Sequence, residues 1–132
     1  MITIICGLIG SGKSTYAAEH FDFVTECENG LTKPMQVAMT ERYNEQEHNV
    51  AHVTCYPTIE ELKMICDYPD TKLIWIDTSP AQCHKNVIER GRKRDIEDMN
   101  YVDRKNKELY TKLVSSQFRF KKVHLFDDGE RW

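Results

Sequence analysis

The fold of this chain follows from one stretch, Gly7-Leu8-Ile9-Gly10-Ser11-Gly12-Lys13-Ser14-Thr15. Its glycines, lysine and serine match the pattern G-x-x-x-x-G-K-[ST], which is typical of a loop that binds phosphate. Glycine is needed there because the backbone must turn sharply and bring its N–H groups close to a polyphosphate. We therefore predict that the nucleotide-binding residues are Gly7, Gly10, Ser11, Gly12, Lys13, Ser14 and Thr15.

Two side chains of this glycine loop carry the chemistry expected of a nucleotide site. Lys13 supplies a positive charge for the β- and γ-phosphates of ATP, and the Ser14 hydroxyl is placed to ligate Mg²⁺. The helix that begins at the end of the loop adds its positive N-terminus. ATP and Mg²⁺ are therefore the expected cofactors, and Lys13 is expected to act in catalysis as well as in binding.

Regular elements are predicted on both sides of the loop. Residues 2–6 are apolar and predict a buried strand, and residues 13–20 predict a helix. Farther along, the pattern predicts strands at 21–26, 73–76 and 122–126 and helices at 59–65, 80–89 and 99–115. Strands that alternate with helices indicate an α/β fold, in which a parallel sheet carries helices on both faces.

The segment between residues 35 and 56 leaves the third strand open. Residues 35–43 are compatible with a strand that ends at Glu41 and Arg42, or with the start of a helix that runs to His48. Residues 49–56 are rich in β-formers and also predict a strand. One of these two segments is the central strand beside residues 2–6, and the pattern does not decide between them.

Composition limits the class of protein. The chain has 132 residues, about the size of one domain, so we predict a single domain at 1–132. A net charge of −3 argues against general nucleic-acid binding, and no run of about 20 apolar residues predicts a membrane span. Five cysteines without a C-x-x-C pair, and no signal-peptide pattern, predict a reduced, cytoplasmic protein. The oligomeric state does not follow from the sequence.

Three motifs resemble those of the thymidylate kinase and deoxynucleoside kinase group. They are the glycine loop, the stretch 69–80, and the tripeptide Arg90-Gly91-Arg92, which resembles the R-G-R of a lid that folds over the phosphates. The resemblance implies a three-layer P-loop NTPase fold with about five mainly parallel strands in the order 2-3-1-4-5. It also implies a kinase that transfers the γ-phosphate of Mg-ATP to a small-molecule nucleoside or nucleotide.

The same resemblance places further residues in the site. The general base of the group is a carboxylate just after the second strand. Glu26 occupies that position, with Glu41 and Asp22 as rivals. Arg42 would face the phosphates if it follows a strand.

A lid and a second metal ligand complete the predicted site. The basic lid, about residues 90–98, would neutralise charge on the transferring phosphate through Arg90, Arg92 and Arg94, as an arginine finger does. Asp77 follows an apolar strand, as a Walker B magnesium ligand does. The predicted metal ligands are therefore Ser14 and Asp77.

Residues 21–68 depart from the group, whose members are longer and bind their substrate in this region. The chain therefore resembles a minimal kinase with a reduced substrate region, as small phage-type relatives would be. The glycine loop also resembles that of the polynucleotide 5′-kinase and zeta-toxin branch, but the Arg-Asp pair of that branch is replaced here by Thr25-Glu26-Cys27-Glu28. The alternatives are a polynucleotide 5′-hydroxyl kinase and an ATP-binding module without transfer activity.

Overall fold

The apolar segment before the glycine loop forms the central strand of a five-stranded sheet. A computed structural model describes residues 1–27, 30–91 and 97–126. In chain order, the strands β1 to β5 are Ile2–Gly7, Phe23–Thr25, Val50–Val53, Lys72–Ile76 and Lys121–Val123. Every neighbouring pair is parallel, and the spatial order is β2-β3-β1-β4-β5. The predicted fold class and strand order are confirmed.

Helices cover both faces of this sheet. Those with described bounds, α1 to α5, are Lys13–His20, Lys33–Glu45, Ile59–Asp67, Pro80–Arg90 and Met99–Val114. Ile4 and Ile5 of β1 belong to different core clusters, because successive side chains of a strand point to opposite faces. Ala17 of α1 packs in the cluster of Ile5, and Leu109 of α5 packs in the cluster of Ile4. None of the described helices combines the length and apolar character needed to cross a membrane.

Residues 35–43 had two predictions, a strand or the start of a helix. The segment is helical, so the strand prediction is wrong. The Thr32 side chain caps α2 by accepting from the backbone N–H of Met35, and Pro34 stands in the first turn. The central strand beside β1 is β3, whose four residues are all buried. No apolar stripe marks α2, because the side chains that it buries one turn apart are the polar Gln36 and Thr40.

Local signals define both ends of α4, the helix that follows the central part of the sheet. The Ser79 side chain accepts from the backbone N–H of Gln82, and Pro80 is the first helical residue. Gly91 ends the helix in the left-handed region, with φ of 71°. The predicted helix at 80–89 is therefore confirmed, and its residues Cys83 and Val87 lie against Gly10 of the glycine loop.

Candidate functional site

The glycine loop lies between β1 and α1 and touches α4 at Gly10. Gly10 has φ of +85°, and a Cβ atom there would lie 2.7 Å from Cγ2 of Val87 and 2.8 Å from the carbonyl oxygen of Cys83. Both the backbone conformation and the space therefore require glycine. Gly12, with φ of +99°, caps α1 without a side-chain hydrogen bond. The first N–H groups of α1 are thus left to face the loop.

Two asparagines hold the loop from outside. Asn106 of α5 accepts from the backbone N–H of Ile9 at 2.7 Å and donates to its carbonyl oxygen at 3.0 Å. Asn86 of α4 donates to the carbonyl oxygen of Gly10 at 2.9 Å. These bonds satisfy backbone groups that point away from a ligand, so the loop can turn others inward. Neither asparagine belongs to a motif that predicts a role for it.

The predicted contact from Ser11 can come only from its backbone. The Ser11 side chain is fully buried, and its hydroxyl has no hydrogen-bond partner in the part of the chain that the structure describes. The Thr78 hydroxyl donates to the Ser11 carbonyl oxygen at 2.8 Å. Thr15, in contrast, is exposed at the start of α1.

The structure brings Lys13, Ser14 and Glu26 to the same edge of the sheet. Nζ of Lys13 donates to the carbonyl oxygen of Leu8 at 3.1 Å, across the loop. The Ser14 hydroxyl donates to Oε2 of Glu26 at 2.8 Å. Hydroxyl and carboxylate oxygens are the donors that Mg²⁺ prefers, so the residues present fit a magnesium ion at Ser14.

Asp77 follows β4 at the same edge. Its side chain is buried, with Oδ2 lying 3.4 Å from Nδ1 of His124, and its backbone N–H donates to the carbonyl oxygen of Val123 at 2.8 Å. The next residue, Thr78, contacts the glycine loop. Asp77 therefore borders the loop, and its role as a metal ligand stays a prediction.

Arg42 does not follow a strand, as its predicted role required. It lies in the last turn of α2, about 13 Å along the helix from Lys33. Because α2 begins beside the carboxyl ends of two strands, Arg42 lies toward the opposite edge of the sheet. Glu41, a rival base, precedes Arg42 in the same helix. Burial raises the pKa of Glu41, and the nearby charges of Asp67 and Glu45 raise it further. The expectation that Arg42 faces the phosphates is wrong, because its segment is helical.

The remaining predicted residues are Asp22, Arg90, Arg92 and Arg94. Asp22, a rival base, precedes β2 and lines a cavity at the amino edge of the sheet. Arg90 is the exposed last residue of α4. Arg92 and Arg94 lie outside the described residues, so their lid role stays a prediction.

A cavity of about 410 Å³ opens beside Lys13 and Glu26. Its volume lies within the range of roughly 300–1,000 Å³ that is usual for small-molecule sites. Its apolar wall consists of Val53, Cys55, Tyr56 and Leu109, and the polar lining consists of Lys13, Glu26, Cys27, Lys33, Thr54, Thr58, Lys105 and Lys112. Two larger cavities, of about 820 Å³ each, are lined by neither Lys13 nor Glu26. The smaller cavity is therefore the candidate acceptor site.

Behind Lys33, which lines this cavity, lies a network of buried polar side chains that we call the floor. Nζ of Lys33 donates to Oε2 of Glu61 at 2.7 Å and to Oε1 of Gln36 at 2.8 Å. Nε2 of His52 pairs with the same oxygen of Glu61 at 2.5 Å, and both side chains are fully buried. Nδ1 of His52 lies 2.7 Å from the Thr40 hydroxyl. The floor thus connects α2, β3 and α3.

Gln36 ties together the ends of two strands. Its Nε2 donates to the carbonyl oxygens of Thr25 and Val53, at 2.9 Å each. Thr25 is the last residue of β2 and directly precedes Glu26. The floor therefore helps to set the position of Glu26, which directly follows the end of β2. The sequence predicted Glu26 but not this support, because Lys33 and Gln36 lie in a segment without a recognisable pattern.

The charge distribution in the floor follows from burial and hydrogen bonding. Burial raises the pKa of Glu61, but hydrogen bonds from His52 and Lys33 outweigh burial and lower it to about 2. Burial lowers the pKa of His52, so its ring is neutral near pH 7. An ionised carboxylate only accepts, so Nε2 of His52 carries the proton that it donates. Lys33 is therefore the countercharge of Glu61.

Solved structures of known proteins share this architecture. Deoxyadenosine kinase from M. mycoides with bound dATP has a TM-score of 0.59 and 13% sequence identity, with 95% of this chain and 90% of that chain covered. The same enzyme with bound dCTP gives 0.50 and 17%, with coverage of 94% and 90%. The chain has the fold of a P-loop deoxynucleoside kinase.

One further solved structure shares this fold, and the sequence comparisons found no match. An uncharacterized protein from Eubacterium ventriosum shares the deoxynucleoside kinase fold, with a TM-score of 0.53, 16% identity, and coverage of 94% of this chain and 89% of that chain. No protein-family model matches the sequence, and no curated protein matches it. The resemblance to the deoxynucleoside kinase group is confirmed at the level of fold.

Replacing Asn106 by alanine should destabilise the fold, because the N–H and carbonyl groups of Ile9 lose their partners. Each unsatisfied buried group costs about 1–3 kcal/mol, and both groups of Ile9 are only partly buried, so we expect a loss of about 2–4 kcal/mol in the free energy of unfolding. Urea denaturation measures it. Asn100→Ala, at an exposed position of the same helix, should cost less than about 0.5 kcal/mol. Equal losses in both variants would contradict the role of Asn106.

Glu61→Gln should reduce stability in a pH-dependent way. The folded pKa of about 2 lies below the ordinary value of 4.5, so ionised Glu61 contributes about 3 kcal/mol above pH 4.5. That contribution is lost as the pH falls from 4.5 toward 2, so the difference between wild type and variant should shrink in acid. Urea denaturation at several pH values tests this, with Glu60→Gln on the same helix as control. A difference independent of pH would argue against an ionised Glu61.

Proposed function

We propose that this chain is an ATP-dependent kinase that transfers the γ-phosphate of Mg-ATP to a nucleoside or nucleotide. The observation that carries the proposal is the 2.8 Å hydrogen bond between Ser14 and Glu26. This contact puts a carboxylate beside the loop that fits ATP, at the mouth of a cavity large enough for a small acceptor. The fold shared with deoxyadenosine kinase supports the same reaction class.

The donor side relies on positioning and charge neutralisation, which phosphoryl transfer needs more than covalent chemistry. Lys13 and the inward N–H groups of the glycine loop bind the β- and γ-phosphates. Lys13 exchanges its bond to the Leu8 carbonyl oxygen for bonds to phosphate oxygens. Ser14, with Asp77 as the proposed second ligand, would hold Mg²⁺, and a bound ion would add further charge neutralisation.

The acceptor side lies in the cavity beside Glu26. An acceptor oxygen forms a bond to the γ-phosphorus while the bond to the bridging oxygen breaks, and ADP leaves with that electron pair. Where the attacking group is a hydroxyl, Glu26 accepts its proton. The bond from Ser14 holds Glu26 between donor and acceptor.

The basic segment after α4 is proposed to neutralise the transferring phosphate. Arg90 ends α4, and α4 packs against the glycine loop at Gly10. The resemblance of Arg90-Gly91-Arg92 to a lid motif supports the proposal that Arg90, Arg92 and Arg94 supply the charge of an arginine finger.

Lys13→Ala should weaken binding of Mg-ATP. Losing a charge-assisted hydrogen bond to phosphate costs about 1.5–3 kcal/mol, which corresponds to roughly 10- to 100-fold in Kd. Titration calorimetry measures the change. The matched control is Lys63→Ala, at an exposed position of α3 that does not line the cavity. Unchanged affinity in Lys13→Ala would remove the basis of the proposal.

Glu26→Gln should slow transfer to a hydroxyl acceptor by about 10²–10⁴-fold in kcat, since the proton of the attacking group loses its acceptor. Labelled Mg-ATP with deoxynucleosides and a 5′-hydroxyl oligonucleotide provides the assay. Asp22→Asn, at the other end of β2, should leave kcat nearly unchanged. The same loss in both variants would assign the proton transfer elsewhere. ATP binding without transfer to any acceptor would indicate a binding module.

A further inference from the structure

The cavity beside Glu26 carries more positive charge than the donor nucleotide requires. Among the described residues, its charged lining consists of Lys13, Glu26, Lys33, Lys105 and Lys112. Lys13 belongs to the glycine loop, and Lys33 is paired with the buried Glu61 at 2.7 Å. Two lysines of α5 therefore remain for whatever else binds in this cavity.

Lys105 and Lys112 stand on the same face of α5. They are about two turns apart, or roughly 10 Å, with the buried Leu109 between them. Lys105 lies 3.9 Å from Glu108, whose side chain is 58% exposed, so this pair is weak. Lys112 forms no ion pair with a residue in the described ranges, and its Nζ lies 5.9 Å from the centre of the Tyr56 ring.

Tyr56, next to Lys112, is positioned by contacts of its hydroxyl and its ring. Its hydroxyl donates to Oγ of Ser116 at 2.8 Å, and its ring centroid lies 6.0 Å from that of Phe118 and 6.2 Å from that of Phe120. A fixed ring next to an ammonium group offers an apolar surface and a cation to the same ligand. This combination suits a molecule that has both a planar base and a phosphate.

We propose that the acceptor already carries a phosphate group, which Lys105 and Lys112 bind while its base or sugar packs against Tyr56. The proposal rests on the proposed function and narrows the acceptor from a nucleoside or nucleotide to a nucleotide. A neutral nucleoside offers neither ammonium group a charged partner. A phosphate gives each of them a charge-assisted hydrogen bond.

Two kinds of acceptor share this chemistry. In a nucleoside 5′-monophosphate, a phosphate oxygen attacks the γ-phosphorus, the bond to the bridging oxygen breaks, ADP leaves with the electron pair, and a nucleoside diphosphate forms. In a nucleoside 3′-phosphate, the free 5′-hydroxyl attacks in the same way, and Glu26 takes its proton. The second pKa of a phosphate is about 6, so the first acceptor is already ionised near pH 8 and needs no base.

Binding to the full chain tests the proposal directly. Titration calorimetry is carried out with the donor side saturated by Mg²⁺ and a non-hydrolysable ATP analogue. The ligands are the four deoxynucleosides, their 5′-monophosphates and their 3′-monophosphates. At least one monophosphate should bind roughly 10- to 100-fold more tightly than its parent nucleoside, the value of one charge-assisted hydrogen bond.

Three variants show whether the preference comes from the proposed lysines. Lys112→Gln should remove most of the preference for the monophosphate, and Lys112→Arg should retain it because the charge stays. Lys107→Gln is the matched control, since Lys107 is exposed on α5 and does not line the cavity. It should leave the ratio of the two affinities unchanged.

Several outcomes would overturn the phosphate-bearing acceptor. They are equal affinities for nucleoside and monophosphate, a preference that Lys112→Gln leaves intact, and a Lys112→Gln variant that loses affinity only for the ATP analogue. In the last case the lysines serve the donor.

Transfer assays keep this proposal separate from the proposed function. Transfer to nucleosides alone would support a kinase and overturn the phosphate-bearing acceptor. Lys112-dependent binding of a monophosphate without any transfer would support the phosphate site and overturn the kinase. Where transfer occurs, Glu26→Gln distinguishes the two acceptors. Transfer to the 5′-hydroxyl of a nucleoside 3′-phosphate should fall by about 10²-fold or more. Transfer to a 5′-monophosphate should change little, because its ionised oxygen needs no proton acceptor.

Discussion

The glycine loop can direct backbone N–H groups toward a ligand only because other elements satisfy the groups that point away. Asn106 takes both backbone groups of Ile9, Asn86 takes the carbonyl of Gly10, and Thr78 takes that of Ser11. These bonds come from α5, from α4 and from the end of β4. A loop that looks self-contained in the sequence therefore depends on the second half of the chain for its shape.

The second constraint is the buried floor beneath the cavity. Placing Glu61 and His52 out of water costs free energy unless each is paired, and Lys33 supplies the charge that compensates. Because Gln36 joins this floor to the end of β2, the position of Glu26 is tied to the packing of α2 against β3. The Gln36 side chain thus connects the core to the candidate site.

Much of the candidate site was predictable, and the failures have physical causes. Glu26 was predicted because the resembling group has a carboxylate just after its second strand, and the helix boundaries at Ser79 and Gly91 follow local backbone rules. Arg42 was misplaced because α2 buries polar side chains, so its period resembles neither a strand nor an amphipathic helix. Asn106 could have been noticed as a polar residue between the buried positions Val102 and Leu109 of one helix face. Its partner, Ile9, could not be predicted from the sequence.

The sequence by itself determined the glycine loop, the alternation of strands and helices and, through the resemblance, the strand order 2-3-1-4-5. These features rest on short-range chemistry: glycine conformations, hydrophobic periodicity and helix capping. Only the tertiary structure decided that β3 is the central neighbour of β1, that Ser14 meets Glu26, and that Asn106 holds Ile9 from 97 residues away. Such contacts depend on which surfaces pack together, and packing is a property of the whole core that no single segment of sequence contains.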